Sequence, residues 1–170
     1  MTATGATLYF VFKHFPAVAE RIPLKADGRE IVFGPSPLEG RPIRVQRKIF
    51  VSPQHGFART LEIVTNEGSE RERYRVLINS DLATNDRTKL IATSSGGSEL
   101  SEADVWFVTG DRKGFPVPAL LHVLAGHPAD QLEASTLDQD MLTSEYVLDL
   151  APGETQIVMI FASQINLGEI

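Results

Sequence analysis

Residues 57–80 read Phe57-Ala-Arg-Thr-Leu-Glu-Ile-Val-Thr-Asn-Glu-Gly-Ser-Glu-Arg-Glu-Arg-Tyr-Arg-Val-Leu-Ile-Asn-Ser80. In the second half Tyr74, Val76 and Ile78 alternate with Arg73 and Arg75. Successive side chains of a β-strand point to opposite faces, so this period of two predicts a half-buried strand over 71–80 with the arginines in water. The first half sets Leu61 and Ile63 among polar neighbours, which predicts a second strand over 57–65. Asn66-Glu67-Gly68-Ser69 between them is turn chemistry, and the whole stretch predicts a hairpin.

Working outward, the same grammar repeats. Leu8–Phe12 is a dense apolar run, and 29–33 follows an Asp27-Gly28 turn. Residues 35–42 carry three prolines and predict a loop. Over 43–51, Ile43, Val45, Ile49 and Val51 alternate with Arg44, Gln46 and Lys48. Residues 88–93 form a strand closed by Ser94-Ser95-Gly96-Gly97-Ser98, a flexible turn. Val105–Thr109 is apolar on both faces, as a central strand would be, with Trp106 as a core anchor. Over 145–150, Tyr146, Leu148 and Leu150 point inward. Ala151-Pro152-Gly153-Glu154 then turns into a strand over 156–161. Only 15–24, bracketed by Pro16 and Pro23, and 119–124 offer a helical alternative. Eight to ten short strands without alternating helices predict an all-β chain: one antiparallel β-sandwich over 1–170, immunoglobulin-like with extra strands, and little helix. Residues 1–40 fit that pattern least.

The chain has 170 residues, 42% of them hydrophobic and 22% charged, which is globular composition. Sixteen Lys and Arg against twenty-two Asp and Glu leave a net charge of -6, which argues against a nucleic-acid binder and an anionic-membrane binder. There is no Cys, so disulfides, thiolate nucleophiles and Cys-ligated metals are excluded. No run of eighteen apolar residues exists, and the N-terminus lacks the basic start and apolar stretch of a signal peptide. The chain is therefore either cytoplasmic or a piece of a longer exported protein.

Phe57–Asn66, the strand Tyr74–Leu82, the Ile91–Gly97 segment and the closing Leu148-Asp-Leu-Ala-Pro-Gly-Glu154 resemble β-sandwich, immunoglobulin-like modules of large bacterial secreted or surface adhesin-like proteins. The resemblance covers roughly 43–165 and rests on turn and strand signatures. It implies an extracellular or cell-surface module with neighbouring domains of a parent chain as partners. It carries over no catalytic residue and no cofactor.

Candidate chemistry is sparse. Asn79, Asp81, Asn85 and Asp86 put hard oxygen donors within eight residues, a calcium candidate, although Gly at the sixth position and the closing Glu of an EF-hand are missing. The same residues cap turns through their own backbone, and that reading stays beside the metal one. Asp138 and Asp140 with Glu133 and Glu145 form a second acidic group, otherwise a solvated loop, and Asp104 and Asp111 could join either in space. Four histidines, His14, His55, His122 and His127, lack zinc-ligand spacing. No Gly-x-Ser-x-Gly elbow or phosphate loop occurs. Arg41, Arg44, Arg47 and Lys48, joined by Arg71, Arg73 and Arg75, form a patch suited to an acidic glycan or simply an exposed strand face.

Three functions follow from the sequence. The first is a non-catalytic structural or adhesive module of a larger exported protein. The second is a carbohydrate-binding module, calcium-assisted or not. The third is a small β-sandwich hydrolase or lyase.

Overall fold

The computed structural model describes residues 6–10, 24–82, 88–111, 119–126 and 131–165. They form twelve strands: β1 Ala6–Phe10, β2 Leu24–Lys25, β3 Glu30–Pro37, β4 Ile43–Val51, β5 Phe57–Asn66, β6 Glu72–Asp81, β7 Thr88–Thr93, β8 Trp106–Asp111, β9 Ala119–Val123, β10 Leu132–Asp138, β11 Met141–Leu150 and β12 Thr155–Ile165. Among the described residues there is no helix, and 119–124 resolves to strand. The other helical candidate, 15–24, lies outside the described residues up to Leu24.

Two sheets make the sandwich. One has four strands in the order β1-β6-β11-β10, and the other eight in the order β2-β3-β4-β5-β12-β9-β8-β7. All pairs are antiparallel except β1 with β6. Their facing sides share one core. Tyr74, Val76, Ile78, Tyr146, Leu148 and Leu150 come from the small sheet, and Ile43, Val45, Val64, Phe107 and Val158 from the large one.

The all-β antiparallel sandwich is as the alternation predicts. The immunoglobulin-like partition is not. Such domains split seven to nine strands between sheets of similar size. Here eight strands run through one sheet, and the last strand in chain order, β12, lies between β5 and β9.

The stretch that predicts a hairpin also folds differently. β5 pairs with β4 and β12, while β6 pairs with β1 and β11. Residues 67–71 are thus an arch from one sheet to the other. The 151–154 turn is a second arch, from β11 to β12. Asn66, fully buried, laces the two. Its Nδ2 donates to the carbonyls of Glu70 (2.7 Å) and Leu150 (3.0 Å), and its Oδ1 accepts from the Gly68 N–H (2.9 Å). Its backbone exchanges hydrogen bonds with Gly153 and Glu154.

Two further segments depart from expectation. β3 continues through Gly34 and Pro35 to Pro37, with a register shift between Phe33 and Ser36. β2 pairs only with Glu30 and Ile31, so among the described strands nothing needs an N–H donor from the prolines. Gly34 has φ +79°, and a Cβ there would meet the Val45 carbonyl oxygen at 2.8 Å, so only glycine fits. The acidic segment around Asp138 is no loop but the end of the β10–β11 hairpin, whose turn is Gln139-Asp140.

Candidate functional site

The alternation that buries one side of the large sheet turns the other outward, and in this protein that outer side carries apolar residues beside its polar ones. On β5 the residues facing the small sheet are Glu62, Val64 and Asn66, so Leu61 and Ile63 face out. Register carries the pattern across: Ile63 lies opposite Ile157 and Leu61 opposite Met159. Ile157 and Met159 are 49% and 48% exposed, and large exposed apolar patches mark interaction surfaces.

Beside this stripe runs an aromatic row. Strand register lines up Glu30, Phe50, Arg59, Phe161, Val123 and Trp106 across β3, β4, β5, β12, β9 and β8. Phe57 sits one step along the same face, its ring centroid 6.2 Å from Phe50 and 5.9 Å from Phe161. The Arg59 guanidinium lies 5.4 Å from the Phe50 ring centroid and 3.5 Å from the Glu30 carboxylate. Arg59 Nε is buried without a hydrogen-bond partner. A half-buried cluster of mutually inclined aromatic rings with a guanidinium and one carboxylate offers ring faces and edges to the apolar C–H face of a sugar, and donors and an acceptor to its hydroxyls. Trp106 belongs to this face. Phe107 takes the core position that the sequence assigns to Trp106, and stacks on His122 at 4.6 Å.

The inner face holds a second polar group. Arg47 and Glu62 sit opposite each other on β4 and β5, with Nε donating to Oε1 at 2.5 Å, and both side chains are buried. Burial pushes the Glu62 carboxyl up to about 7, against the pull of Arg47. Tyr146 donates its hydroxyl to the Leu124 carbonyl at 2.9 Å and so ties β11 to the end of β9. Burial raises its pKa, Ser144 opposes that, and the Glu62 charge adds to it. His122 hydrogen-bonds Thr109 Oγ1 at 2.9 Å, and burial alone pulls its pKa down to about 4. These groups are sealed between the sheets, so they shape stability and not a binding surface.

The two shifts oppose each other. Glu62 is protonated in the fold where the unfolded chain has lost its proton, so its contribution falls as pH rises from 4.5 to about 7. His122 stays neutral in the fold where the unfolded chain is protonated, so its contribution falls as pH drops from 6.5 to about 4. Over the shared window the slopes cancel. Glu62→Gln is therefore expected to expose a rise of stability with pH between about 4.5 and 6.5, and His122→Phe a fall, each approaching 1.4 kcal/mol per pH unit. Urea titrations at stepped pH measure both. Parallel profiles for the two variants would refute the assignment.

The residues singled out in the sequence end in different places. Asn79 accepts a hydrogen bond from Thr143 Oγ1 at 2.9 Å, Asp81 closes β6, and Asn85 and Asp86 lie outside the described residues. Among the described residues no three His, Asp or Glu converge as metal ligands. Glu133 and Glu145 do meet, but across Arg75, at 3.2 and 2.6 Å. Asp104 joins neither acidic group. It is buried, and four hydrogen bonds from Ser94, Ser95 and Ser101 overcome the burial penalty and hold its pKa well below the usual carboxylate range. The 94–98 segment is thereby fixed, contrary to a flexible turn. Four of the seven basic residues are paired with acids: Arg44 with Glu67, Arg47 with Glu62, Arg71 with Asp149 and Arg75 with two glutamates. His55 is exposed in the β4–β5 connection, and His14 and His127 lie outside the described residues.

No family model matches the chain, and no curated protein matches it in sequence. Solved structures do match in fold. A candidate aldose 1-epimerase from Escherichia coli K12 superposes with a TM-score of 0.51 at 11% identity, over 82% of this chain and 66% of that one. A galactose mutarotase-like protein from Lactobacillus casei ATCC 334 gives 0.51 at 7% identity, over 81% and 70%. A polysaccharide lyase gives 0.50 at 16% identity, over 85% of this chain and 22% of the lyase. The chain thus spans about two thirds of the first protein and about a fifth of the third. The shared fold overturns the resemblance to adhesin-like immunoglobulin modules. With it falls the reading as a non-catalytic adhesive module, together with the ground it gave for an extracellular chain. The fold this chain shares is the mutarotase-like sandwich.

Proposed function

We propose that this chain is a carbohydrate-recognising sandwich of a sugar-converting enzyme, seating a neutral sugar ring on the outer face of the eight-stranded sheet. The observation that carries the reading is the in-register row of Phe50, Arg59, Phe161 and Trp106, each partly exposed, on the outer face of the large sheet. The fold likeness supports it, because the epimerase, mutarotase-like and lyase proteins are all named for carbohydrate chemistry. On the row itself the Arg59 guanidinium is matched by the Glu30 carboxylate, which suits a neutral sugar better than an acidic glycan. In this reading the rings carry the stacking, and Arg59 and Glu30 carry the hydroxyls. Glu30 is the carboxylate placed to exchange a proton with a bound sugar.

Trp106 is the sole tryptophan, so its fluorescence reports on this face alone. Titration with D-galactose and D-glucose is expected to change it, and Arg59→Ala or Phe161→Ala to weaken binding about tenfold or more. Exchange between the α and β anomers, followed by proton NMR, tests conversion, and release of reducing ends from oligosaccharides tests the hydrolase or lyase alternative. A fluorescence signal unmoved by any sugar would sink the proposal. Calcium at Asn79, Asp81, Asn85 and Asp86 is carried beside it as a separate proposal. Its check is a melting temperature raised by calcium and restored by chelator.

A further inference from the structure

A cleft of about 430 Å³ opens where the two sheets end, between edge strand β7 and edge strand β10. Its volume falls within the range of small-ligand sites. Leu90, Leu100 and Leu137 form an apolar floor that packs on the core. Ser98, Glu99, Thr136 and Gln139 form a rim of hydroxyls, one carboxylate and one amide.

Two features show that the walls are built and not incidental. Ser98, Glu99 and Leu100 belong to the loop that the buried Asp104 carboxylate holds with four hydrogen bonds, and Thr93 Oγ1 also accepts the Gly97 N–H at 3.0 Å. A buried carboxylate committed wholly to one surface loop fixes that loop's geometry before any ligand arrives, which lowers the ordering cost of binding. On the opposite wall Gln139 is held at φ +54°, a left-handed conformation that disfavours a side chain like glutamine's. That conformation is set by the tight β10–β11 turn, so the position of Gln139 on the cleft wall is fixed by the hairpin.

We propose that this cleft is a second sugar subsite, taking one neutral glycosyl unit. The proposal rests on the carbohydrate reading above. The leucines meet the C–H face of the ring, Glu99 accepts from neighbouring hydroxyls, and Gln139, Ser98 and Thr136 complete the hydrogen bonding. Among the described residues the lining holds no Arg or Lys to match a uronate or a sugar phosphate, and no aromatic ring to cage an ammonium group.

The test is an NMR titration of the full chain, labelled with 15N, using D-glucose, D-galactose, D-glucuronate and D-glucosamine as separate probes. Neutral hexoses are expected to shift the amides of 98–100 and 136–139. Glu99→Ala, at an exposed position, should weaken that response about tenfold. Thr136→Trp should fill the cleft and abolish it, while the response at Phe161 and Trp106 persists. Shifts in the cleft without any on the outer face would uphold the subsite and overturn the outer-face site. Shifts on the outer face alone would overturn the subsite and leave the proposed function standing. Silence at both faces overturns both. A stronger cleft response to D-glucosamine than to D-glucose would overturn its neutral specificity.

Discussion

Glu62→Ala should lower the stability of the fold by about 3–5 kcal/mol. Glu62 is fully enclosed and Arg47 nearly so, and the substitution removes the acceptor of Arg47 Nε without returning the guanidinium to water. The Val158 and Tyr146 side of the pocket collapses only partly around the missing carboxylate, which adds a cavity cost. The pair itself is not a large net stabiliser, because desolvating both groups consumes most of their attraction. Arg47→Met with Glu62→Leu should therefore recover most of the loss, and it is expected to match or exceed the parent. Chemical denaturation of the two single variants and the double one measures the coupling. A double variant as unstable as the sum of the singles would mean that the two residues act independently.

Val76→Asp is expected to unfold the chain at room temperature. Val76 is fully buried, opposite Leu8 on β1 and Tyr146 on β11 in strand register, and a carboxylate there would lie in the apolar core. The cost, about 4 kcal/mol or more, is a large share of the usual stability of a domain. Its neighbour behaves differently. Arg75 points into solvent between Glu133 and Glu145, and Arg75→Asp should change stability by no more than about 1 kcal/mol. Circular dichroism and urea melts separate the two outcomes. Equal losses would mean that the face assignment of β6 is wrong.

The face of β6 is legible in the sequence and that of β5 is not, for one cause. Alternation tells which residues share a face but not which face is covered. On β6 the arginines settle it. On β5 both faces carry apolar residues, and the large sheet buries the face with the glutamate while leaving Leu61 and Ile63 outside. The same ambiguity hides the outer aromatic row: Trp106 and Phe107 are adjacent, and only the register with β9 shows which one turns inward. Arg47 follows the inward positions Ile43 and Val45 by its spacing, yet its charge marks it for the surface until Glu62 appears opposite. Turn chemistry was equally one-sided. Asn66 to Ser69 specifies a reversal of the chain but not whether the returning strand pairs with its predecessor or crosses to the facing sheet. β10 has no clear alternation in the sequence because a bulge falls between Leu132 and Ala134. The cleft is illegible for a different reason, since its walls come from strands and loops about forty residues apart in sequence.

The central position of β12 has a consequence for how the protein is made. Thr155 must find Thr65, ninety residues earlier, before the large sheet is continuous. On the ribosome, β2–β5 and β7–β9 emerge as two unfinished half-sheets, each exposing an edge that only β12 can close. Closure over such a distance is slow, because loop entropy is lost before the contact repays it. Until then both open edges invite pairing with a neighbouring nascent chain. The late strand thus acts as a keystone: yield of soluble protein should depend on translation speed and chaperone supply more than on the strength of the finished core.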